Sequence, residues 1–112
     1  MKIDKELQKG STAMLILSQL AKADMYGYQL TQELAKESAN LFLLKEGTLY
    51  PLLHGLENKG HVESYWVESE AARKRKYYKI TESGRKKLAS QKEEWQAYTR
   101  AVNQVIGGAS HA

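Results

Sequence analysis

The chain contains no cysteine. Disulfide staples, thiolate metal sites and a cysteine nucleophile are therefore excluded, and a reducing compartment fits. No stretch approaches the roughly 18 consecutive apolar residues of a membrane span, and the opening MKIDKELQKGS lacks the apolar core of a signal peptide. A cytoplasmic location is expected. The histidines His54, His61 and His111 form no metal-ligand spacing, and Gly84-Arg85-Lys86 has no glycine-rich loop before it. Serines and threonines occur without a matching histidine and carboxylate constellation. Nothing points to catalysis, so no enzyme activity, catalytic residue, metal or cofactor is expected.

What is present is a core. The 112 residues are 42% hydrophobic, enough for one folded domain. A net charge of +4 is only mildly basic, but eight of the 17 lysines and arginines lie between Arg73 and Lys87. A patch of that kind attracts nucleic acid, an acidic membrane surface or an acidic partner.

Ser11 or Thr12 caps a first helix with Met14, Leu17 and Leu20 on one face and Ile16 beside them; an earlier turn with Ile3 and Leu7 extends it backwards. Asp24 is the expected N-cap of a second helix, with Tyr26, Gly27 and Tyr28 in its first turn and Leu30 and Leu34 inside. Asn40 to Leu44 reads as a brief strand or a buried connector. Leu49, Leu52, Leu53 and Leu56 then form a helical stripe stopped by Gly60 as a C′ residue. Pro51 interrupts it: either the helix begins just before Pro51 or it bends there.

HVESYWVE and RKRKYYKIT read as two strands joined by a turn at Ser69–Ala72. Val62, Trp66, Tyr78 and Ile80 share the expected buried face. Thr81 caps a long last helix with apolar residues at Leu88, Trp95, Tyr98, Val102, Val105 and Ile106, close to a seven-residue period.

Three helices, a hairpin and a long helix are the order of a winged helix-turn-helix, mainly α within the α+β class. In that architecture the third helix enters the major groove and the hairpin lies beside it as the wing. The chain also resembles the PadR family of bacterial transcriptional regulators, through MYGYQL at Met25–Leu30, GTLYPLLHGLENKGHVE at Gly47–Glu63 and RKYYKITESGRKKL at Arg75–Leu88. The resemblance implies the small subfamily, in which a single C-terminal helix makes the dimer. The chain departs from it at Glu70-Ala71-Ala72, where many members carry glycines. The expected organisation is a DNA-binding domain over residues 1–80, a dimerisation helix over 81–108 and a frayed tail at 109–112.

With the leucines facing inward, Thr48, Tyr50, Pro51 and His54 fall toward DNA, and Lys45 precedes the helix where a phosphate would sit. The resemblance adds Tyr26 and Gly27 near the backbone. Arg73, Lys74, Arg75, Lys76 and Tyr77 on the wing are the expected phosphate contacts. For Tyr26 and Tyr50 the alternative is a rim aromatic, and for the wing cations a solvated face. The narrow stripe of the last helix predicts a homodimer through Leu88, Trp95, Tyr98, Val102, Val105 and Ile106, on a palindromic operator. Met14, Trp95 and Tyr98 are candidates for stacking on a flat aromatic effector, against the alternative that Trp95 only fills the interface. The expected partners are double-stranded DNA, a second copy and that effector, and the resemblance implies a regulator that represses. The rival reading is a winged helix used only to bind protein.

Overall fold

The computed structural model describes residues 2–8, 10–71 and 73–107 of the chain. The elements run α1 (Lys5–Gln8), α2 (Thr12–Leu20), β1 (Met25–Tyr26), α3 (Gly27–Glu37), α4 (Glu46–Asn58), β2 (Val62–Glu68), β3 (Lys74–Ile80) and α5 (Glu82–Val105). This is the expected α+β winged-helix order. The expected tail at 109–112 and His111 lie outside the described residues.

One core serves every long element. Ile16, Leu17 and Leu20 from α2, Leu30 and Leu34 from α3, and Leu49, Leu53 and Leu56 from α4 meet Val62, Tyr78 and Ile80 of the sheet. The leucine spacing on α4 places its apolar stripe inward, as the periodicity requires. Leu52 packs at the margin of this core.

Helix ends explain several departures from the expected boundaries. Ser11 is the N-cap of α2 but its side chain caps nothing. Its hydroxyl and that of Thr12 both donate to the Gln8 carbonyl, which ties α2 to the separate turn α1. Asp24 does not cap α3. Met25 and Tyr26 are instead extended and pair with Tyr78 and Tyr77, adding a third strand in the order β1-β3-β2. Helix α3 ends with Ala39 at φ 52 in the C′ position, where its N–H bonds the Lys36 carbonyl and that of Asn40 bonds Ala35. Glycine is the usual residue there, so the stop was hidden. Asn40 to Leu44 forms no strand; it is a connector in which Leu44 packs on the core.

Pro51 neither starts α4 nor ends it. The helix begins at Glu46 and runs through Pro51, which is exposed. Having no N–H, Pro51 leaves the Gly47 carbonyl without its usual helical partner. At the other end Gly60 has φ 79, its N–H bonds the Glu57 carbonyl and that of His61 bonds Leu56. This is the left-handed glycine stop expected from the sequence.

The hairpin register pairs Val62 with Ile80, Ser64 with Tyr78, Trp66 with Lys76 and Glu68 with Lys74. Val62, Trp66, Tyr78 and Ile80 do share a face, but Trp66 lies beyond the core and is 64% exposed. Sequence alternation assigns a side chain to a face, and only the length of the packed helix decides how far burial extends.

The base of the wing is locked to α5. The Thr81 hydroxyl accepts from the Gly84 N–H at 3.0 Å and donates to the Gly60 carbonyl at 2.6 Å. The Thr81 N–H donates to the His61 carbonyl at 3.0 Å. Gly84 passes over that same carbonyl so closely that a β-carbon would collide with it and with Ile80. Gly84→Ala is therefore expected to destabilise the fold by about 1–3 kcal/mol despite alanine's better helix propensity. Thermal unfolding would show it as a lowered midpoint; an unchanged midpoint would mean that α5 can slide.

Candidate nucleic-acid interface

Opposite its leucines, α4 exposes Glu46, Gly47, Thr48, Pro51, His54 and Asn58. Lys45 is the exposed N-cap, and no side chain caps the helix. The first amides of α4 are thus oriented as an anion site would need them. Of the residues expected here, Lys45, Thr48, Pro51 and His54 are all on this open surface.

Tyr50 is different. It is half-buried, packs against the core, and its ring lies on Gly27 so tightly that any β-carbon at 27 would meet the phenol. Gly27 is buried, so the close approach it permits is that of Tyr50. The sequence reading offered Gly27 to a DNA backbone; the structure corrects this, because a side chain of the same molecule occupies that space. Gly27 and Tyr50, 23 positions apart in the motifs Tyr26-Gly27-Tyr28 and Thr48-Leu49-Tyr50, therefore form one contact.

The wing does not present its cations on one surface. Lys74 and Lys76 alternate with Tyr78 and Ile80 on the inner face, which packs on α4, whereas Arg75 and Lys79 flank Tyr77 on the outer face. Arg73 is exposed near the turn, and Ala72 of that turn lies outside the described residues. On the inner face the Ser64 hydroxyl donates to the Glu57 carboxylate at 2.6 Å and so joins β2 to α4. Tyr78 is buried beside it, and that burial, reinforced by the Glu57 carboxylate and Tyr50, pushes its hydroxyl pKa up from 10.0. Tyr78 stays neutral.

The outer face carries a row of aromatic rings that the sequence reading missed. Tyr77 stacks on Tyr65 at 5.8 Å and meets Tyr26 edge-on at 5.4 Å, while the Arg75 guanidinium lies 4.6 Å above the Tyr26 ring. At the far side the Tyr65 hydroxyl donates to Asp24 at 2.5 Å, which pushes its pKa up and holds its proton. The row spans all three strands. Alternation of Tyr65 and Tyr77 was visible, but their pairing follows from the register alone. Among the described residues the one salt bridge is Lys22–Glu37, away from the wing, so no carboxylate pairs with the wing cations.

The profile of the PadR-like transcriptional regulator family matches residues 16–90. The chain belongs to the PadR-like family. It is 34% identical over 109 residues to the transcriptional regulator Rv3488 of Mycobacterium tuberculosis, covering 96% of this chain and 94% of that protein. A solved transcriptional regulator from Clostridium thermocellum superposes with a TM-score of 0.83 at 32% identity, covering 89% and 97% of the two chains. A PadR family regulator from Eggerthella lenta gives 0.80 at 34% identity, covering 90% and 86%. This PadR-like chain is accordingly a DNA-binding transcriptional regulator rather than an enzyme. Among the described residues no helix is long and apolar enough to cross a membrane, and no cluster of potential metal ligands occurs.

Away from the wing, Met14, Trp95 and Tyr98 line one open-sided groove of about 670 Å³ together with Leu7, Gln91 and Glu94. The rings of Trp95 and Tyr98 are 6.4 Å apart. Trp95, Tyr98, Val105 and Ile106 are exposed and Val102 is half-buried. Leu88 is corrected: it lies in the chain's own core, because α2 and the sheet still cover α5 at that level. Only 8% of its surface is left for a partner.

The contact between Gly27 and Tyr50 is testable in a double-mutant cycle. Gly27→Ala should lower stability in the parent and cost at least about 0.5 kcal/mol less in a Tyr50→Ala background. Strictly additive losses in denaturant titrations would show that the two positions do not touch.

Proposed function

We propose that the chain acts as a homodimeric repressor that inserts α4 into the major groove of a palindromic operator and lays the wing on the flanking backbone. The observation that carries this reading is the continuity of α4 with the wing's inner face. The exposed stripe at Gly47, Thr48, Pro51 and His54 adjoins Lys74 and Lys76 through the Ser64–Glu57 bond, and among the described residues neither lysine forms a salt bridge, Glu68 standing across the hairpin from Lys74. Lys45, Thr48, Pro51 and His54 are the helix contacts in this reading, with Arg73, Lys74, Arg75, Lys76, Tyr26 and Tyr77 around the wing and Tyr50 as the support beneath. Repression needs nothing beyond occupancy of the operator.

Glycines add independent support. A β-carbon at Gly47 or Gly55 would meet nothing within 4 Å, so the chain's own packing asks for glycine at neither. Glycine inside a helix costs about 1 kcal/mol relative to alanine. Close approach of a duplex accounts for that cost.

A second copy accounts for the far half of α5. From Gln91 onward this helix has no buried residue, yet it carries Trp95, Tyr98 and Val102. Pairing of two such helices would bury them and space two α4 helices about one DNA turn, ~34 Å, apart. The groove beside Trp95 suits a flat aromatic ligand bearing hydrogen-bond donors. Glu6 and Glu94 line it, and the buried Gln91 Oε1 has no hydrogen-bond partner among the described residues.

Selection of bound duplexes from a random pool should recover an inverted repeat with half-sites about 10 base pairs apart. Gly47→Ala and Gly55→Ala should each raise stability by about 0.4–1 kcal/mol yet weaken binding to the recovered duplex. Undiminished binding by both variants would remove α4 from the interface. Titration with planar cationic aromatic compounds should quench Trp95 and lower affinity for the duplex, while Glu94→Gln should weaken that response. Failure of every such compound to quench would remove the effector from the reading and leave DNA binding untouched.

A further inference from the structure

The inner face of the wing continues past the helix that supports it. Its base row, Val62 opposite Ile80, belongs to the core. The next row pairs Tyr78, only 1% exposed, with Ser64, which is bonded to Glu57 of α4. One row further out stand Trp66 and Lys76, and here burial stops: the indole is 64% exposed. The Lys76 ammonium lies 6.0 Å from the Trp66 ring centre and 5.7 Å from that of Tyr78. A tryptophan with a cation beside it thus overhangs the surface on the side of α4.

The free chain gains little from an indole in this position, since burial is what makes a large aromatic favourable. A ligand that covered it would bury the indole together with the stem of Lys76. Two observations identify a polyanion. Lys74 and Lys76 lie on the same face with no salt bridge among the described residues, and the surface is continuous with the exposed stripe of α4. Glu68, opposite Lys74, marks the outer limit of the cationic stretch.

We propose that Trp66 is a DNA-contacting residue whose indole packs on the deoxyribose and minor-groove edge of the duplex flanking the segment held by α4. Lys76 meets the neighbouring phosphate. The inference rests on the DNA-binding reading above and adds a residue to it. Two consequences follow from the chemistry. Packing of the ring surface is sequence-tolerant and supplies affinity. The indole N–H is a lone donor, matched to the adenine N3 and thymine O2 acceptors of the minor groove and opposed by the guanine amino group, so it favours A·T at the flank.

The test uses the full chain and a duplex of about 30 base pairs recovered from the random pool, with the parent measured in parallel. Trp66→Ala should lower affinity about tenfold, in the range of aromatic–nucleotide contacts, without moving the thermal midpoint. Trp66→Phe should recover part of the affinity but lose discrimination between A·T and G·C at the flank. Lys76→Gln should flatten the dependence of log affinity on log salt by about one unit. Parental affinity in Trp66→Ala would overturn the proposal, as would a lowered midpoint, which would make Trp66 structural. In a Trp95→Phe background, where Trp66 is the one indole left, its protection from iodide by protein concentration alone would also overturn it, assigning the surface to a second copy. A parent that binds no duplex would sink the DNA reading as a whole, which the parallel measurement separates from failure of Trp66 alone.

Discussion

The relative placement of α4, the wing and α5 depends on one backbone carbonyl, that of His61. It accepts the Thr81 N–H at 3.0 Å, and Gly84 slides over it. The Thr81 hydroxyl closes the same junction onto Gly60, and His61 Nδ1 lies 3.0 Å from the Ser83 hydroxyl. Four elements leave this point: the end of α4, the start of β2, the end of β3 and the start of α5. A tilt of α5 relative to the wing would strain it. A helix that carries Trp95 and Tyr98 near its middle is therefore joined at its start to the base of the wing.

From that junction outward, the surface is organised by the pleat. Alternation sends Lys74 and Lys76 to the side of α4 and Arg75 to the aromatic row with Tyr26. The outer row of Tyr26, Tyr77 and Tyr65, ending on Asp24, stiffens the sheet across its width. The inner row continues the surface of α4. The cationic run is thus divided between two faces, Arg75 bracing the wing over Tyr26 and Lys74 and Lys76 lying without salt bridges among the described residues on the side of α4.

Much of the architecture could be read directly. The stripe of Leu49, Leu53 and Leu56, the glycine stop at Gly60 and the Thr81 cap are local signals, and each stands where periodicity and capping chemistry put it. The strand β1 could not be read, because two residues make no pattern and exist as a strand only through their pairing with β3. The end of α3 was hidden because Ala39 holds a conformation that usually belongs to glycine. Leu88 matched the seven-residue repeat of α5 but is consumed by the chain's own core, since a repeat does not say which partner buries it.

By itself the sequence determined that the long segments are helices and a hairpin, which leucines of α4 face inward, and that the cations gather beside a helix-turn-helix. Those properties are local, set by side-chain periodicity and capping within a few residues. The tertiary structure alone decided that Tyr50 rests on Gly27, that Gly84 must be bare to cross His61, and that Trp66 lies one row beyond burial. Each depends on distances between segments far apart along the chain. Such distances are settled when helices and strands pack against one another, not by any window of residues.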